Sequence, residues 1–141
     1  MFQKILLATD GSSASQQAAD YAAALAVRFN AKVIALHAFN QLVVPPVGYS
    51  FPNVDAYASY QDAEKLVAQT AERLRSQGVG EVEEQVVQGQ AVHVILGAAE
   101  TIKPDVIVMG ARGVGTWQGL LLGSTSMSVV QRAQVPVLVV K

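Results

Sequence analysis

The chain of 141 residues contains no cysteine, and this absence excludes several kinds of chemistry. Without thiols there is no disulfide, no thiolate nucleophile, and no cysteine-based zinc or iron–sulfur site. The two histidines, His37 and His93, are far apart in the sequence, and neither lies in a metal-ligand motif. Thiol-based chemistry and cysteine–metal sites are therefore excluded.

The chain also lacks an excess of charge of either sign. Lys and Arg number 10 against 11 for Asp and Glu, so the net charge is −1. A protein that recruits nucleic acid or an acidic membrane surface by bulk charge needs a positive balance. We therefore predict no nucleic-acid partner and no membrane partner.

Long hydrophobic runs are missing as well. No segment approaches the roughly 18–20 apolar residues of a membrane span. Near the N-terminus, the apolar residues 5–8 are interrupted by Thr9 and Asp10, so the run is too short for a secretory signal. The sequence predicts a cytoplasmic location.

What the chain does have is a regular alternation of two patterns. Hydrophobic residues make up 51%, and the length suits one domain over residues 1–141. Five short apolar runs, typical of strands buried on both faces, lie at residues 5–8, 32–37, 82–87, 105–109 and 136–140. Four segments with helical spacing separate them. This alternation predicts a single-domain Rossmann-like α/β fold, a doubly wound sheet of about five parallel strands with four helices. With strand one at the centre, the expected strand order is 3-2-1-4-5.

The apolar stripes of the helices predict which faces are buried. The first stripe comprises Ala14, Ala18, Ala22, Leu25 and Phe29, with Ser12 or Ser13 as its cap. The fourth comprises Met127, Val130 and Ala133. Residues 40–55 contain three prolines and fit neither pattern, which is typical of a lid, a binding loop or a mobile segment.

Ligands of open α/β sheets bind at the carboxyl ends of the strands, where the strand order reverses. Strand one ends in Thr9-Asp10-Gly11, and strand four leads into residues 110–126, which contain five glycines and one charged residue, Arg112. Glycines allow close approach of the backbone to a ligand, and a helix N-terminus favours phosphate. The pattern indicates a phosphate cradle of backbone amides and hydroxyls; turns and helix caps without any ligand are the alternative explanation.

Two common nucleotide motifs are absent from this segment. The chain has no Gly-Lys pair, which excludes a Walker A loop. Gly113-Val114-Gly115 is followed by Gln118 where a dinucleotide motif needs glycine. A phosphate site here belongs to another class.

The spacing Gly110-x2-Gly113-x9-Gly123-Ser124 resembles the nucleotide-binding signature of the universal stress protein family. The resemblance extends over nearly the whole chain, including the opening residues 5–12 and the closing residues 136–140. It is to the subgroup that binds ATP, and it implies a nucleotide-dependent regulatory or stress-response protein.

The resemblance also implies a set of binding residues. Gly110, Gly113, Gly123 and Ser124 match phosphate- and ribose-contacting positions, and Thr125 and Ser126 add further donors. Asp10 matches an acid that contacts the nucleoside, the Ala38 backbone reads the adenine, and Met109 lies beneath the ligand. The full predicted set is Ala8, Thr9, Asp10, Ala38, Met109, Gly110, Arg112, Gly113, Gly123, Ser124, Thr125 and Ser126.

The implied ligand is ATP, with Mg²⁺ held mainly by the phosphates. The family often has a basic residue within the stretch that here reads Thr116-Trp117-Gln118-Gly119, and its absence makes AMP or ADP alternative ligands. No residue is assigned a catalytic role or the role of a metal ligand.

Several residues allow a plainer interpretation. Asp10 could form an Asx turn with Gly11, Arg112 could be a solvent-exposed loop residue, and His37 is expected to be structural. The last strand is apolar and is expected at a sheet edge, which invites pairing. In the family such strands pair between subunits, so we predict a homodimer.

Three functions compete at this point. The first is the nucleotide-binding regulatory protein, and the second is a slow ATPase or nucleotidyl-transfer enzyme on the same fold, for which Asp10 and Arg112 are the residues to test. The third is a receiver domain with a phospho-acceptor aspartate. Strand three ends in Val86-Val87-Gln88 rather than in aspartate, which disfavours the third.

Overall fold

The computed structural model describes residues 1–40, 56–113 and 122–141, with side chains of the second helix described from Tyr60 onward. Five strands and four helices alternate along these ranges. In chain order they are β1 (Lys4–Ala8), α1 (Ser13–Phe29), β2 (Lys32–Phe39), α2 (Ala56–Ser76), β3 (Val82–Gln88), α3 (Ala91–Ile102), β4 (Val106–Gly110), α4 (Ser124–Arg132) and β5 (Val137–Val140).

The strands form one parallel sheet in the order β3-β2-β1-β4-β5. The predicted α/β class and strand order are confirmed. Strand β1 is central, and the order reverses between β1 and β4. In receiver-type folds the order is 2-1-3-4-5, so that the third strand lies next to the first. Here β3 is at the far edge, which disagrees with the receiver hypothesis.

Side chains on the two faces of the sheet form two separate cores. Because successive strand residues point to opposite faces, Ile5 and Leu7 pack against α1 and α2 while Leu6 and Ala8 pack against α3 and α4. The core against α1 is rich in alanine, which allows the helix to lie close to the strands. Burial on both faces explains why the strands read as continuous apolar runs.

The predicted stripe of α1 is confirmed except at its last residue, whereas the predicted stripe of α4 is rotated relative to the structure. In α1 the buried residues include Ala18, Ala22 and Ala26, whereas Phe29 is 44% exposed. In α4 Met127 and Val130 are exposed and Val129 is buried, so the predicted burial of Met127 and Val130 was wrong. The Ser126 hydroxyl donates to Ala111 O, which orients α4 so that Ser126 and Val129 point inward.

Two sets of polar contacts lie away from the place where the strand order reverses. One joins α1 to α2, and the other joins the start of β4 to the start of β1. Arg73 of α2 donates two hydrogen bonds of 2.8 Å to the Asp20 carboxylate of α1, and this contact, with Gln77, lowers the pKa of Asp20. At the amino end of the sheet, Asp105 accepts from the backbone N–H groups of Lys4 and Gln3. These bonds lower the Asp105 pKa.

The helices were also compared with the length and hydropathy of membrane spans. Within residues 1–40, 56–113 and 122–141, no helix is long and apolar enough to cross a bilayer.

Candidate functional site

A cavity of about 470 Å³ lies at the carboxyl ends of β1, β2 and β4, beside the reversal of strand order. This volume falls within the usual range of small-molecule sites, about 300–1,000 Å³. All twelve site residues expected from the sequence line it: Ala8, Thr9, Asp10, Ala38, Met109, Gly110, Arg112, Gly113, Gly123, Ser124, Thr125 and Ser126. Residues 114–121, including the Thr116-Trp117-Gln118-Gly119 stretch, and residues 41–55 lie outside the described residues.

The wall from β1 to α1 is held by hydrogen bonds among its own residues. Asp10 Oδ1 accepts from Ser12 N–H at 2.9 Å, which is the Asx turn, and Gly11 has a φ of 80°. Ser12 Oγ caps α1 by accepting from Ser15 N–H, and Ser15 Oγ donates to Ser12 O. Thr9 and Ser15 are buried, and Thr9 Oγ1 donates to Ser15 Oγ. This wall is therefore rigid before any ligand arrives.

Two glycines, one at the end of β4 and one just after it, are required by close packing. A Cβ on Gly110 would lie 2.9 Å from Ala14 C and Cβ, so only glycine lets β4 end against the first turn of α1. A Cβ on Gly113 would overlap Asp10 Oδ2. Gly113 therefore allows the Asp10 carboxylate to reach the loop that follows β4.

The first turn of α4 contrasts with that of α1. Gly123 is the N-cap, and no side chain caps the helix in the described part of the chain. The first intrahelical bond runs from Met127 N–H to Gly123 O, which leaves the backbone N–H groups of Ser124, Thr125 and Ser126 without an intrahelical partner. These donors line the cavity together with the positive end of the helix dipole.

Ala111 joins the cavity wall to the last strand. Its N–H donates to Val140 O at 2.7 Å, and its carbonyl accepts from Gly123 N–H and from Ser126 Oγ, both at 2.6 Å. The Ser126 hydroxyl hydrogen is therefore engaged inside the protein. Its predicted contact with a ligand remains a prediction, with the backbone N–H as the available group.

At the other end of the cavity, Ala38 lies beyond the end of β1. Ala8 pairs with Leu36, whereas β2 continues to Phe39. Leu36 O accepts from Thr9 N–H and Phe39 O accepts from Gly89 N–H, so even-numbered residues of β2 direct their backbone groups toward β1. The Ala38 backbone is thus directed to the space past the end of β1, where the cavity lies.

Seven lining residues were missed by the sequence reasoning: Ser12, Ser15, Leu36, His37, Ala91, Ile95 and Ala111. Ser15 could have been found, because it stands three residues after the N-cap Ser12 and so faces the same strand end. His37 was assigned a structural role near the pocket, and its Nδ1 is 2.8 Å from Thr9 O. Ala91 and Ile95 belong to α3, whose position over the sheet is a tertiary feature.

The charged lining of the cavity is sparse. Among the described lining residues, Asp10 is the one acid and Arg112 the one permanent cation. No group of three or more potential metal ligands occurs in the described ranges. A divalent ion in this cavity would therefore take most of its ligands from a bound phosphate chain, with Asp10 as the one acidic side chain of the described lining.

The strand order defines a Rossmann-like α/β protein with a cavity at the carboxyl ends of its first and fourth strands. The chain belongs to the universal stress protein family, because residues 1–141 match the family model. A universal stress protein encoded in the 3′ region of a sulfhydrylase of Thermus aquaticus is 37% identical to it over 146 residues, which cover 100% of both chains.

Solved structures agree with this assignment. The universal stress protein UspA from Lactobacillus plantarum has a TM-score of 0.83 at 25% identity, over 99% of this chain and 98% of its own. A universal stress protein in complex with cAMP has a TM-score of 0.77 at 28% identity, over 99% of this chain and 96% of its own. At least one family member of this fold thus binds an adenine nucleotide.

Proposed function

We propose that this chain binds an adenosine phosphate in the cavity between β1 and β4 and acts as a nucleotide-dependent regulatory or stress-response protein. The observation that carries the proposal is the first turn of α4, which no side chain of the described residues caps and which faces a cavity of about 470 Å³ beside Gly113. Unpaired backbone N–H groups at a helix N-terminus suit a phosphate group. The complex of a related protein with cAMP supports the same ligand class.

The opposite end of the cavity suits a purine base. Leu36, Ile95 and Met109 supply apolar surface, and the Ala38 backbone supplies one donor and one acceptor. An adenine ring offers the complementary pair, a ring nitrogen that accepts and an amino group that donates. Asp10, between the base and phosphate ends, is positioned to accept a hydrogen bond from a ribose hydroxyl.

The length of the phosphate chain follows from the charges. ATP would bind with Mg²⁺, because Arg112 is the one permanent cation in the described lining and cannot neutralise a triphosphate alone. AMP and ADP carry less charge and need less compensation. We therefore expect ATP binding to depend strongly on Mg²⁺ and AMP binding to depend on it weakly.

The test combines recovery of bound ligand with titration. Protein purified without added nucleotide is denatured, and the released nucleotides are separated by chromatography. Calorimetric titration with AMP, ADP and MgATP is then compared for wild type, Gly113→Val and Gly97→Ala. The Gly113→Val side chain displaces the Asp10 carboxylate, whereas a Cβ on Gly97 meets open space and serves as a control. Binding by wild type and Gly97→Ala, with loss in Gly113→Val at unchanged circular dichroism, is expected. No binding of any of the three nucleotides by wild type would refute the proposal.

One observation favours a second function, slow hydrolysis or nucleotidyl transfer. Asp10 Oδ2 stands next to Gly113. The carboxylate between the base and phosphate ends therefore borders the proposed phosphate position, where it could orient a water molecule. Fast phosphoryl transfer also needs positioned cations, and the described lining supplies Arg112 alone. This function requires multiple turnovers of MgATP that are lost in both Asp10→Asn and Arg112→Ala. Turnover equal to that of Gly113→Val would reject it.

We further propose a homodimer through β5, which is an edge strand. Pro136 O and Val140 O bond to β4, so the backbone groups of Val139 face the open edge. Met127 and Val130 of neighbouring α4 are exposed apolar side chains that a partner would cover. Val139→Pro removes an edge donor without removing a bond to β4. It should convert a dimer to a monomer in light scattering, and a wild-type monomer would exclude the dimer.

A further inference from the structure

The ring of His37 interrupts the ladder between β1 and β2. Its Nδ1 lies 2.8 Å from Thr9 O. A carbonyl oxygen can only accept, so the Nδ1 atom must carry the hydrogen of this bond. In the neutral ring the Nε2 atom then has no hydrogen. The hydrogen bond therefore fixes which of the two neutral tautomers the imidazole adopts.

The carbonyl held by His37 is the one that the ladder would use next. Thr9 N–H donates to Leu36 O, and the parallel pattern would continue with Ala38 N–H donating to Thr9 O. No such backbone bond joins Ala38 to Thr9, both of which the structure describes. The imidazole takes the carbonyl instead. The ladder stops, and the Ala38 N–H stays directed toward the cavity.

We infer that His37 is a positioning residue that keeps the base-recognition edge of the cavity open. By holding Thr9 O, the ring prevents the β1–β2 ladder from closing over the Ala38 backbone, and it fixes the chain just before Asp10. The part of this inference that concerns nucleotide rests on the proposed function. The part that concerns the ladder rests on the geometry of Thr9, His37 and Ala38 alone.

A purely structural His37 would satisfy a buried carbonyl and nothing more. Its replacement would then change stability and leave base selectivity unaltered. A positioning His37 predicts the reverse. The variant without a donor keeps its stability, because a backbone N–H can replace the ring at Thr9 O, and it loses discrimination between bases.

The first test needs no nucleotide. Nitrogen-15 spectra of the His37 ring in neutral form should show the hydrogen on Nδ1, and the Ala38 amide should exchange rapidly with solvent. In His37→Leu the Ala38 amide should become protected as the ladder closes. Hydrogen on Nε2 in the wild-type ring, or a protected Ala38 amide in the wild type, would overturn the inference.

The second test uses AMP and inosine monophosphate, whose bases differ at the edge that Ala38 would contact. His37→Leu should bind AMP about tenfold more weakly than wild type, the effect of one hydrogen bond of about 1.4 kcal/mol, and should discriminate less between the two nucleotides. His37→Asn places an amide donor near the position of Nδ1 and should restore both properties. Thermal unfolding of all three proteins provides the control for folding.

The outcomes separate the two proposals. If wild type binds neither nucleotide, the proposed function fails, and the ring tautomer and Ala38 exchange still decide the role of His37 in the ladder. If wild type binds AMP and His37→Leu binds it with equal affinity and selectivity, the proposed function stands and the positioning role is refuted. If His37→Leu does not fold, the ring spectrum and the affinity of His37→Asn carry the test.

Discussion

Two helices begin at the carboxyl ends of neighbouring strands, on opposite faces of the sheet, and they begin differently. Helix α1 follows β1 and is capped by Ser12 Oγ, with Asp10 and Ser15 completing the turn. Helix α4 follows β4, the neighbouring strand, and begins at Gly123 without a side-chain cap. Among the residues that the structure describes, a side chain accepts from the first turn of α1, and none accepts from the first turn of α4.

The difference shows how the capped first turn of α1 can support a binding surface at the first turn of α4. Hydrogen bonds within the first turn of α1 make a fixed surface, and Gly110 packs against that surface at Ala14. The end of β4 is thereby held in place beside the donors of the first turn of α4. A glycine N-cap costs only a few tenths of a kcal/mol relative to a capping side chain, because water can reach the first-turn donors. An anion that supplies the missing acceptor is stabilised there by the helix dipole.

The largest expected effect comes from forcing the end of β4 away from the first turn of α1. Gly110→Val places a branched side chain against the Ala14 backbone and should lower the free energy of unfolding by about 3 kcal/mol, because neither main chain can move away easily. Urea denaturation measures the loss. Gly97→Ala is the matched control in open space and should raise stability by about 0.5–1 kcal/mol. Equal stabilities of Gly110→Val and wild type would contradict this packing.

Nucleotide should act on one helix start and not on the other. At a concentration of AMP about 100 times its dissociation constant, wild type should gain about 2.7 kcal/mol of stability in thermal unfolding. The amide signals of Ser124, Thr125 and Ser126 should shift in two-dimensional spectra, while the Ser15 amide, already bonded to Ser12 Oγ, should not. Shifts confined to Ser15 and its neighbours would place the phosphate at the wrong helix.

A matched pair of serine substitutions sharpens the contrast in the absence of ligand. Ser12→Ala removes the α1 cap and should cost about 1 kcal/mol in the free energy of unfolding. Ser124→Ala removes an exposed hydroxyl that caps nothing and should change that energy by less than about 0.5 kcal/mol. With AMP present, Ser124→Ala should become the more affected variant, because it should bind AMP more weakly than Ser12→Ala does. The comparison fails if both variants lose equal stability without ligand.

The smallest expected effect is at the opposite edge of the sheet. Backbone N–H groups of Lys4 and Gln3 hold the pKa of Asp105 below its ordinary value of 3.8. Because the pKa is lowered in the folded state, the ionised carboxylate contributes fully to stability above the ordinary pKa. This contribution is lost as the pH falls through the lower pKa of the folded state. Asp105→Asn should therefore lose less stability between pH 5 and pH 2 than wild type.

Denaturation at several pH values measures the slopes for Asp105→Asn and wild type. Asp62→Asn, an exposed residue of α2, controls for the loss of one charge. AMP affinity should be the same in both variants at neutral pH, because Asp105 lies at the edge of the sheet away from the cavity. Identical slopes for wild type and Asp105→Asn would show that these backbone bonds do not contribute.

The sequence predicted the sheet well because burial on both faces leaves a direct signature. Ile5, Ile34 and Ile107 lie in apolar runs that only parallel central strands produce. The helix faces were predicted less well. Met127 and Val130 have helical spacing, but the orientation of α4 is set by the Ser126 hydroxyl at Ala111 O, a contact between distant parts of the chain.

For the candidate site, too, one part could be predicted from the sequence and another could not. Glycine spacing and family resemblance predicted residues that the structure brings to one cavity, since strand ends in a parallel sheet meet at one edge. The uses of individual groups were not predictable. Whether Asp10 closes a turn or the His37 ring replaces a ladder bond depends on atomic distances between neighbouring strands, and such distances leave no pattern in composition or periodicity.

The hydrogen bonds of Ala111 connect the start of α4 to the last strand of the sheet. The Ala111 N–H group bonds to Val140 O, and its carbonyl oxygen accepts from Gly123 N–H and from Ser126 Oγ. A displacement of the α4 start therefore pulls on the terminal carbonyl of the outermost strand, with no intervening side chain to absorb the motion. The crevice and the rim of the sheet are mechanically one part, joined through a residue whose side chain is a single methyl group.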